Sequence, residues 1–176
     1  KNNMRNRWAR RCMALCMLLS IYLLSREGAI LVGKAGEYQK GVIMIDSGHG
    51  GIDPGVVGIG DLQEKDVNLK IAKELAQELE KEGYQTILTR EEDKGLYDQD
   101  SRNKKVQDMQ NRCAMIKEKK PLLTVSIHQN SYGDEAVCGP QVFYYKDSVK
   151  GRELARCIQE ELNTQLEVTN PRTEKA

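Results

Sequence analysis

The sequence predicts an α/β fold with an open, largely parallel and twisted sheet that carries helices on both faces. Three observations predict this class. Short apolar runs alternate with amphipathic stretches from residue 41 onward, an order that is typical of parallel sheets. A chain of 176 residues is long enough for one domain with a substantial core. No internal repeat or low-complexity linker divides it.

Four apolar runs are predicted to be strands. The run VIMI, at residues 42–45, is continuously apolar and bounded by glycine, which is typical of a buried strand. YQTILTR at residues 84–90 and LLTVSIH at residues 122–128 are the second and third strands, and QVFYY at residues 141–145 is the fourth. The polar C-terminal tail offers no further strand, so the sheet is expected to be incomplete at its C-terminal end.

Three amphipathic stretches between or after these runs predict helices. Gly83 ends the first helix and Pro121 ends the second, because neither residue favours a helix interior. Each helix has one apolar face. The faces consist of Val67, Ile71, Leu75 and Leu79 with Ala72 and Ala76 beside them in the first helix, Val106, Met109, Cys113 and Ile116 in the second, and Leu154, Ile158 and Leu162 in the third.

Residues 1–36 are predicted to be a signal peptide or signal anchor with its linker, ahead of a folded domain at residues 37–176. Five basic residues precede the apolar run CMALCMLLSIYLL, which is the order found in export signals. The run is shorter than the about 20 residues of a membrane span. No small-x-small cleavage site follows it, which favours a membrane anchor with its basic end in the cytoplasm. Either version exports the domain; the alternative is a buried helix of that domain.

Charge and cysteine content argue against two broad classes. The formal net charge is +1, so the chain lacks the basic excess that nucleic-acid binding requires. The five cysteines show no C-x-x-C spacing, so neither a disulfide scaffold nor a cysteine zinc site is predicted. The sequence does not decide whether two of Cys113, Cys138 and Cys157 form one disulfide.

Two histidines, the only ones in the chain, fall at the same edge of the predicted sheet. His49 lies in the glycine-rich loop after the first strand, and His128 ends the third strand. Glu64 begins the first helix, which starts near the same edge. Because open parallel sheets bind ligands beyond the carboxyl ends of their strands, these side chains are predicted to meet there. Two imidazoles and one carboxylate leave one position of tetrahedral zinc open, as in hydrolytic zinc sites.

Each of these residues also has a purely structural interpretation. A histidine at a strand end is commonly a hydrogen-bonded residue, and a glutamate at a helix start is favoured by the helix dipole. Asp46 and Asp53 are typical turn formers, and the glycines supply positive φ angles. The pattern alone therefore leaves open both a zinc site and an α/β domain without metal.

Other chemistries fit the loop GHGGIDPGVVGIG less well. The loop lacks both the G-x-x-x-x-G-K-[ST] and the G-x-G-x-x-G spacings of nucleotide-binding loops. No G-x-S-x-G elbow is present, and the adjacency of Ser47 and His49 does not supply the oriented base of a catalytic triad. Nucleotide binding and serine hydrolysis are therefore not predicted.

The chain resembles the zinc-dependent N-acetylmuramoyl-L-alanine amidase family in four consecutive blocks over residues 41–166. The blocks are VIMIDSGHGGIDPGVVG, QEKDVNLKIAKEL, GYQTILTR and NRCAMIKEKKPLLTVSIHQN. The resemblance implies that His49, Glu64 and His128 bind zinc and that peptidoglycan is the partner. A short exported domain without a wall-binding module is similar to the sporulation and germination-specific branch.

The resemblance also implies residues that support the site. Arg112 matches a family arginine in the helix before the third strand, and Asn68 and Asn130 match frequent family asparagines. Asp46, at the end of the first strand, is grouped with them. Ser47 stands where the family usually has proline, which bears on the rigidity of the loop and does not replace a ligand.

The implied activity is hydrolysis of the amide bond between the lactyl group of N-acetylmuramic acid and the L-alanine of the stem peptide. In the family, a glutamate late in the chain takes the proton of the zinc-bound water. This sequence has no matching segment, so the catalytic glutamate is expected beyond Ala176. Two explanations compete: an incomplete sequence of a normal enzyme, or a catalytically deficient zinc protein that binds peptidoglycan stem peptide without hydrolysis.

Overall fold

A computed structural model of the chain describes residues 17, 19–23, 25, 40–131, 133 and 137–176. Contacts between Cα atoms divide the chain into two compact units, one ending at Asn130 and the other running from Ser131 to Ala176. The first unit contains the parallel sheet and both histidines.

The first unit is built on a parallel sheet in the order β2-β1-β3. Its strands are β1 (Val42–Ser47), β2 (Gln85–Leu88) and β3 (Leu123–Ile127). The last residue of β1, Ser47, pairs with the last residue of β3, Ile127. The segments that follow these two strands therefore leave the sheet at the same edge.

Three helices of four or more turns lie within the described ranges. They are α1 (Glu64–Lys81), α2 (Lys104–Lys119) and α3 (Val149–Gln165), and a 3₁₀ turn covers Ile59–Asp61. At the start of α2 the side chain of Asn103 accepts a hydrogen bond from the backbone N–H of Val106, and Ser148 caps α3 in the same way. Such caps satisfy N–H groups that have no partner within the helix.

The connections place helices on both faces of the sheet. α1 joins β1 to β2, and α2 joins β2 to β3. Because β2 and β3 flank β1 on opposite sides, right-handed crossovers put the two helices on opposite faces. The predicted α/β fold with a parallel sheet is confirmed. In parallel sheets with this strand order, ligands bind at the border between β1 and β3.

The core of the first unit lies between α1 and the sheet. Ile43 and Ile45 of β1 are buried against Ala72 and Ala76 of α1. Ile71, which the predicted apolar face included, is 42% exposed. The alanines are the innermost positions because their small side chains let the helix backbone approach the strand. Partly buried apolar residues complete this core: Leu75, Leu79, Tyr84, Leu88, Val125 and Ile127.

α2 does not bury the apolar face that the sequence predicted for it. Val106 is 49% exposed and Met109 is 58% exposed, whereas Arg112 is only 3% exposed. The guanidinium of Arg112 bonds to the Asp46 carboxylate. This helix therefore turns a charged residue inward and leaves apolar residues at the surface.

The strand predicted at residues 141–145 is wrong. In the described part of the second unit, Phe143 alone within this run forms a β-bridge, with Lys175. The backbone N–H of Val142 donates instead to the side-chain oxygen of Gln159, which is buried in α3, over 2.7 Å. A side chain thus satisfies the backbone group that a neighbouring strand would otherwise have satisfied.

The described residues before residue 40 are helical, and their large apolar side chains are exposed; Ile21, for example, is 63% exposed. Within the described ranges, no helix has both the length and the apolar character that crossing a bilayer requires. Most of the predicted targeting segment at residues 1–36 lies outside the described residues. The segment and the domain boundary at residue 37 stay predictions.

Candidate metal centre

His49, Glu64 and His128 converge beyond the carboxyl ends of β1 and β3. One potential ligand atom of each residue lies within 4.8 Å of the other two. Oε1 of Glu64 lies 3.2 Å from Nε2 of His49 and 3.1 Å from Nδ1 of His128. The imidazole centroids are 4.9 Å apart and the ring planes are inclined by 79°. The structure thus brings together the three residues that the sequence pattern grouped.

Glycines around His49 permit this close approach. A Cβ on Gly48 would lie 2.3 Å from Cε1 of His128, and a Cβ on Gly55 would lie 2.6 Å from Oε2 of Glu64. Real Cβ atoms do not approach other heavy atoms so closely, so any larger residue at either position would displace a neighbouring side chain of the site. His49 itself has a φ of 64°, a left-handed conformation that costs a residue with a Cβ about 1–2 kcal/mol.

The Glu64 side chain is only 3% exposed, yet its surroundings stabilise the charged form. Oε2 accepts a hydrogen bond from the backbone N–H of Val56 at 2.9 Å, and Oε1 accepts one from the N–H of Gln129 at 2.8 Å. Burial alone would raise the pKa of Glu64, but these bonds and the amide of Asn68 lower the pKa below its ordinary value. The carboxylate is therefore ionised near neutral pH and able to bind a cation.

Asn68 links Glu64 to the loop after β1. Its Nδ2 lies 3.4 Å from Oε1 of Glu64 and donates to the carbonyl of Gly48 at 3.2 Å, and its Oδ1 accepts a hydrogen bond from Gln129. The side chain is fully buried. Asn68 thus holds the position of the Glu64 carboxylate. Asn130, the other predicted supporting asparagine, is exposed.

Asp53 contacts His49, although the sequence suggested it only as a turn former. Its Oδ2 lies 3.0 Å from Nδ1 of His49, and its Oδ1 lies 2.9 Å from Nζ of Lys105. Burial would raise the pKa of Asp53, but the hydrogen bonds from His49 and Lys105 lower that pKa to about 2. The signal in the sequence is a carboxylate four residues after a histidine in the same glycine-rich loop.

Arg112 of α2 binds the main chain at the end of β1 and at His49. Its Nη1 lies 2.6 Å from Oδ1 of Asp46 and donates to the carbonyl of Ser47 at 2.8 Å. Its Nη2 donates to the carbonyl of His49 at 2.8 Å, and its Nε lies 2.6 Å from Oδ2 of Asp108. Arg112 therefore supports the backbone that presents His49.

Asp46 receives hydrogen bonds from three parts of the first unit. Thr89 Oγ1 donates to its Oδ1 at 2.9 Å, Ser126 Oγ donates to its Oδ2 at 2.7 Å, and Arg112 donates to Oδ1. Burial would raise the pKa of Asp46, but the bonds from Ser126, Arg112 and Thr89 lower it below its ordinary value. Asp46 and Arg112, both predicted supporting residues, thus bind each other, and both line the cavity beside His49 and His128.

Arg90 is a supporting residue that sequence reasoning missed. Nε donates to the carbonyl of Ser47 at 3.0 Å, and Nη2 donates to the carbonyls of Gly48 and Lys65 at 3.1 and 2.7 Å. The side chain is fully buried. Its signal in the sequence is a basic residue at the end of the second predicted strand, at the edge where the histidines lie. The carbonyls of residues 47–49 are thus all bound by arginine.

Ser47 occupies a position where the family that this sequence resembles usually has proline. The residue is fully buried, and among the described residues its hydroxyl oxygen has no hydrogen-bond partner. Its backbone N–H donates to Thr89 Oγ1 at 3.3 Å, a bond that proline is unable to make. The difference therefore concerns the backbone of the loop and leaves the ligand atoms unchanged.

The segment at residues 91–103 forms hydrogen bonds with the loop that carries His49. Nζ of Lys65 bonds to the Asp93 carboxylate at 2.6 Å and to the carbonyl of Gly51 at 2.9 Å, and Asp93 also accepts from the N–H of Gly51. The hydroxyl of Tyr97 accepts a hydrogen bond from the backbone N–H of Ile52. These contacts tie the loop to Asp93 and Tyr97 of the segment that follows β2.

A cavity of about 220 Å³ opens beside the two histidines. It is smaller than the pockets that enclose whole drug-sized ligands, so it is able to admit only part of a large substrate. Its wall combines the apolar side chain of Met109 with charged groups. The lining residues are Asp46, Gly48, His49, Gly50, Ile52, Asp53, Tyr97, Lys105, Asp108, Met109, Arg112 and His128.

The donor atoms of this site fit zinc. Imidazole nitrogen and carboxylate oxygen are preferred zinc ligands, and three protein ligands leave one position for water or substrate. Nδ1 of His49 faces the Asp53 carboxylate, while Nε2 faces the Glu64 carboxylate. A neutral imidazole has only one N–H to donate, so it is able to form a hydrogen bond with only one of these two carboxylates. A cation held by His49 and Glu64 would account for the other close contact.

Comparison with known proteins gives a consistent family. The model of the N-acetylmuramoyl-L-alanine amidase family matches residues 43–176. A germination-specific N-acetylmuramoyl-L-alanine amidase of Bacillus subtilis is 35% identical over 137 residues, which cover 76% of this chain and 57% of that protein. An Escherichia coli amidase, AmiC, is 38% identical over 112 residues, 63% of this chain and 24% of its own length. The chain thus spans little more than half, or less, of these curated relatives.

Solved structures agree with the sequence matches. The CwlD amidase of Clostridioides difficile, determined in complex with the GerS lipoprotein, has a TM-score of 0.74 and 39% identity, over 77% of this chain and 72% of that one. An N-acetylmuramoyl-L-alanine amidase of Nostoc punctiforme has a TM-score of 0.62 and 33% identity, over 77% of this chain and 68% of its own. The parallel sheet and its helices are therefore shared with these proteins.

Proposed function

This chain belongs to the N-acetylmuramoyl-L-alanine amidase family, and on that basis we propose that it is a zinc-dependent peptidoglycan hydrolase. The bond it cleaves is the amide between the lactyl group of N-acetylmuramic acid and the L-alanine of the stem peptide. The observation that carries the proposal is the convergence of His49, Glu64 and His128 within 4.8 Å at the ligand-binding edge of a parallel sheet.

His49, Glu64 and His128 would hold the zinc ion. When bound, zinc would supply a Lewis acid that polarises a carbonyl and lowers the pKa of a coordinated water towards neutrality. Glu64 supports this role because its hydrogen bonds from Val56 and Gln129 keep the carboxylate charged. The cavity beside the histidines receives the part of the substrate around the scissile amide.

We assign no residue of this chain to the proton transfer. The family that the sequence resembles gives that step to a glutamate late in its chain. The residues of this chain contribute metal binding, orientation of the ligands and the wall of the substrate cavity.

The site of action in this proposal is the cell wall. The basic and apolar N-terminal segment supports export, either as a cleaved signal or as a membrane anchor. A role in sporulation or germination is supported by the similarity to a germination-specific amidase of Bacillus subtilis. Peptidoglycan is then the partner, and the membrane is contacted through residues 1–36.

The test of this function measures zinc and peptide release together. The protein, produced from its complete gene, is expected to contain about one zinc ion per molecule and to release stem peptides with a new N-terminal L-alanine from purified peptidoglycan. Glu64→Ala is expected to lose both. Glu74→Ala, which changes an exposed glutamate of the same helix, is the control and is expected to retain both.

Two other results would overturn the proposal in different ways. Zinc and peptidoglycan binding without release of peptide would identify a binding protein. If the wild-type protein contained no zinc as purified and bound none when zinc was added, it would be an α/β domain that uses no metal.

A further inference from the structure

The imidazole of His49 lies between two carboxylates. Nδ1 is 3.0 Å from Oδ2 of Asp53, and Nε2 is 3.2 Å from Oε1 of Glu64. A carboxylate oxygen only accepts hydrogen bonds, so whichever nitrogen carries the proton of neutral imidazole donates to its neighbour. The identity of that nitrogen decides whether His49 is able to bind a metal on the Glu64 side.

Asp53 is itself held in place by two donors. Its Oδ1 lies 2.9 Å from the ammonium of Lys105 and 3.5 Å from the backbone N–H of Gly55. Neither group accepts a hydrogen bond, so both oxygens of Asp53 face donors: Lys105 and Gly55 on one side, and Nδ1 of His49 on the other. Asp53 is partly shielded, with 24% of its side chain exposed.

We propose that Asp53 is a positioning residue that holds His49 with its proton on Nδ1, so that Nε2 is free to bind zinc. This inference rests on the proposed zinc function and adds a residue to that site. His128 differs, because its Nδ1 lies 3.1 Å from Oε1 of Glu64. The two histidines therefore present opposite ring nitrogens to the Glu64 carboxylate.

The substitution that tests this role is Asp53→Asn, which keeps the size of the side chain. An asparagine has one acceptor and one NH₂ donor. An NH₂ group pointing at Lys105 and Gly55 would meet only donors, so it is expected to turn towards His49. It then favours the tautomer with the proton on Nε2, which blocks metal binding.

Zinc affinity is the first measurement, made on the full chain by competition with a chromophoric chelator. Asp53→Asn is expected to weaken zinc binding 10–100-fold, the range found when partners of metal-binding histidines are changed. Adding Lys105→Met removes the main donor facing the amide, so the double variant is expected to regain part of the affinity. Asp61→Asn, at an exposed aspartate of the same loop, is the matched control and is expected to bind zinc like the wild type.

The second measurement determines the tautomer of His49. If Asp53 had a purely structural role, Asp53→Asn would leave that tautomer unchanged. The chain has two histidines, so a spectrum of ¹⁵N-histidine-labelled, zinc-free protein contains two imidazoles, which a His49→Gln variant assigns. His49 is expected to carry its proton on Nδ1 in the wild type and to shift towards Nε2 in Asp53→Asn.

The inference is overturned if Asp53→Asn binds zinc within twofold of the wild type, or if the His49 tautomer is the same in both proteins. Failure of the proposed function gives a different result. A wild-type chain that binds no zinc would refute the metal site, whereas tight zinc binding that is insensitive to Asp53→Asn would refute only the role of Asp53.

Discussion

Asp46 illustrates how single residues beneath the site are held in a charged state. Its carboxylate is mostly buried, a situation that by itself raises the pKa of an acid. Ser126 from β3, Thr89 after β2 and Arg112 from α2 all donate hydrogen bonds to it. Their combined effect exceeds that of burial, so the pKa of Asp46 lies below its ordinary value of 3.8.

This shift predicts a contribution of Asp46 to acid sensitivity. Since its pKa is lower in the folded than in the unfolded protein, the unfolded state binds more protons in acid. The stabilisation is complete above pH 3.8 and is lost as the pH falls through the folded pKa. The free energy of unfolding, measured with urea from about pH 5 to about pH 2, is expected to decline less steeply in Asp46→Asn than in the wild type.

The control for this measurement is Asp66→Asn, at an exposed aspartate of α1. Its pH dependence is expected to follow that of the wild type. If Asp46→Asn also followed the wild-type curve, the folded-state pKa of Asp46 would not be lowered.

At the scale of the elements, the sequence predicted four strands and three helices, and the described residues contain three of those strands and all three helices. The apolar runs of β1 and β3 were sufficient, because a continuous run bounded by glycine or proline has few alternatives to a buried strand. The run at residues 141–145 is also largely apolar, yet it forms only an isolated bridge with Lys175. Gln159 accepts the hydrogen bond of the Val142 N–H, a contact that periodicity does not report.

The loop between β1 and α1 gives a prediction at this scale. A Cβ on Gly48 would lie 2.3 Å from the His128 ring, so Gly48→Ala must displace that ring. Overpacking of this kind costs about 1–3 kcal/mol. Since about 1.4 kcal/mol corresponds to a tenfold change in affinity, zinc binding by the full chain is expected to weaken by roughly 5–150-fold.

Gly58→Ala is the matched control, because its added Cβ would have only the carbonyl of Leu62 nearby, at 3.6 Å, and its φ is −90°. Zinc affinity is expected to be unchanged, and circular dichroism should show the same helix content in both variants. Equal zinc affinity of Gly48→Ala and the wild type would mean that His128 is not a ligand in the arrangement described.

At the scale of the whole molecule, the candidate site depends on topology. His49 follows β1, His128 follows β3, and Glu64 begins α1, so the three meet only when the parallel sheet has formed. The rule that parallel sheets bind ligands at their carboxyl edge was enough to group them from the sequence. The supports Asp53 and Arg90 were missed because their roles depend on side-chain directions, which the order of elements does not fix.

Zinc is therefore expected to stabilise the folded chain. A ligand that binds only the folded state at a free concentration of 100 times its Kd adds about 2.7 kcal/mol to the free energy of unfolding. The melting temperature of the full chain should rise on addition of zinc and return to its starting value with a chelator. Glu64→Ala should show no rise, and an equal melting temperature of the wild type with and without zinc would contradict the site.

The arginines that bind the carbonyls of residues 47–49 have a consequence for how tightly a cation would be held. Arg90 and Arg112 hold this stretch of main chain in one conformation through bonds that do not involve the ligand atoms. The template for the ion is thus preorganised, and capture requires little loss of conformational entropy from the backbone. Less of the binding energy of His49, Glu64 and His128 would then be spent on ordering the backbone.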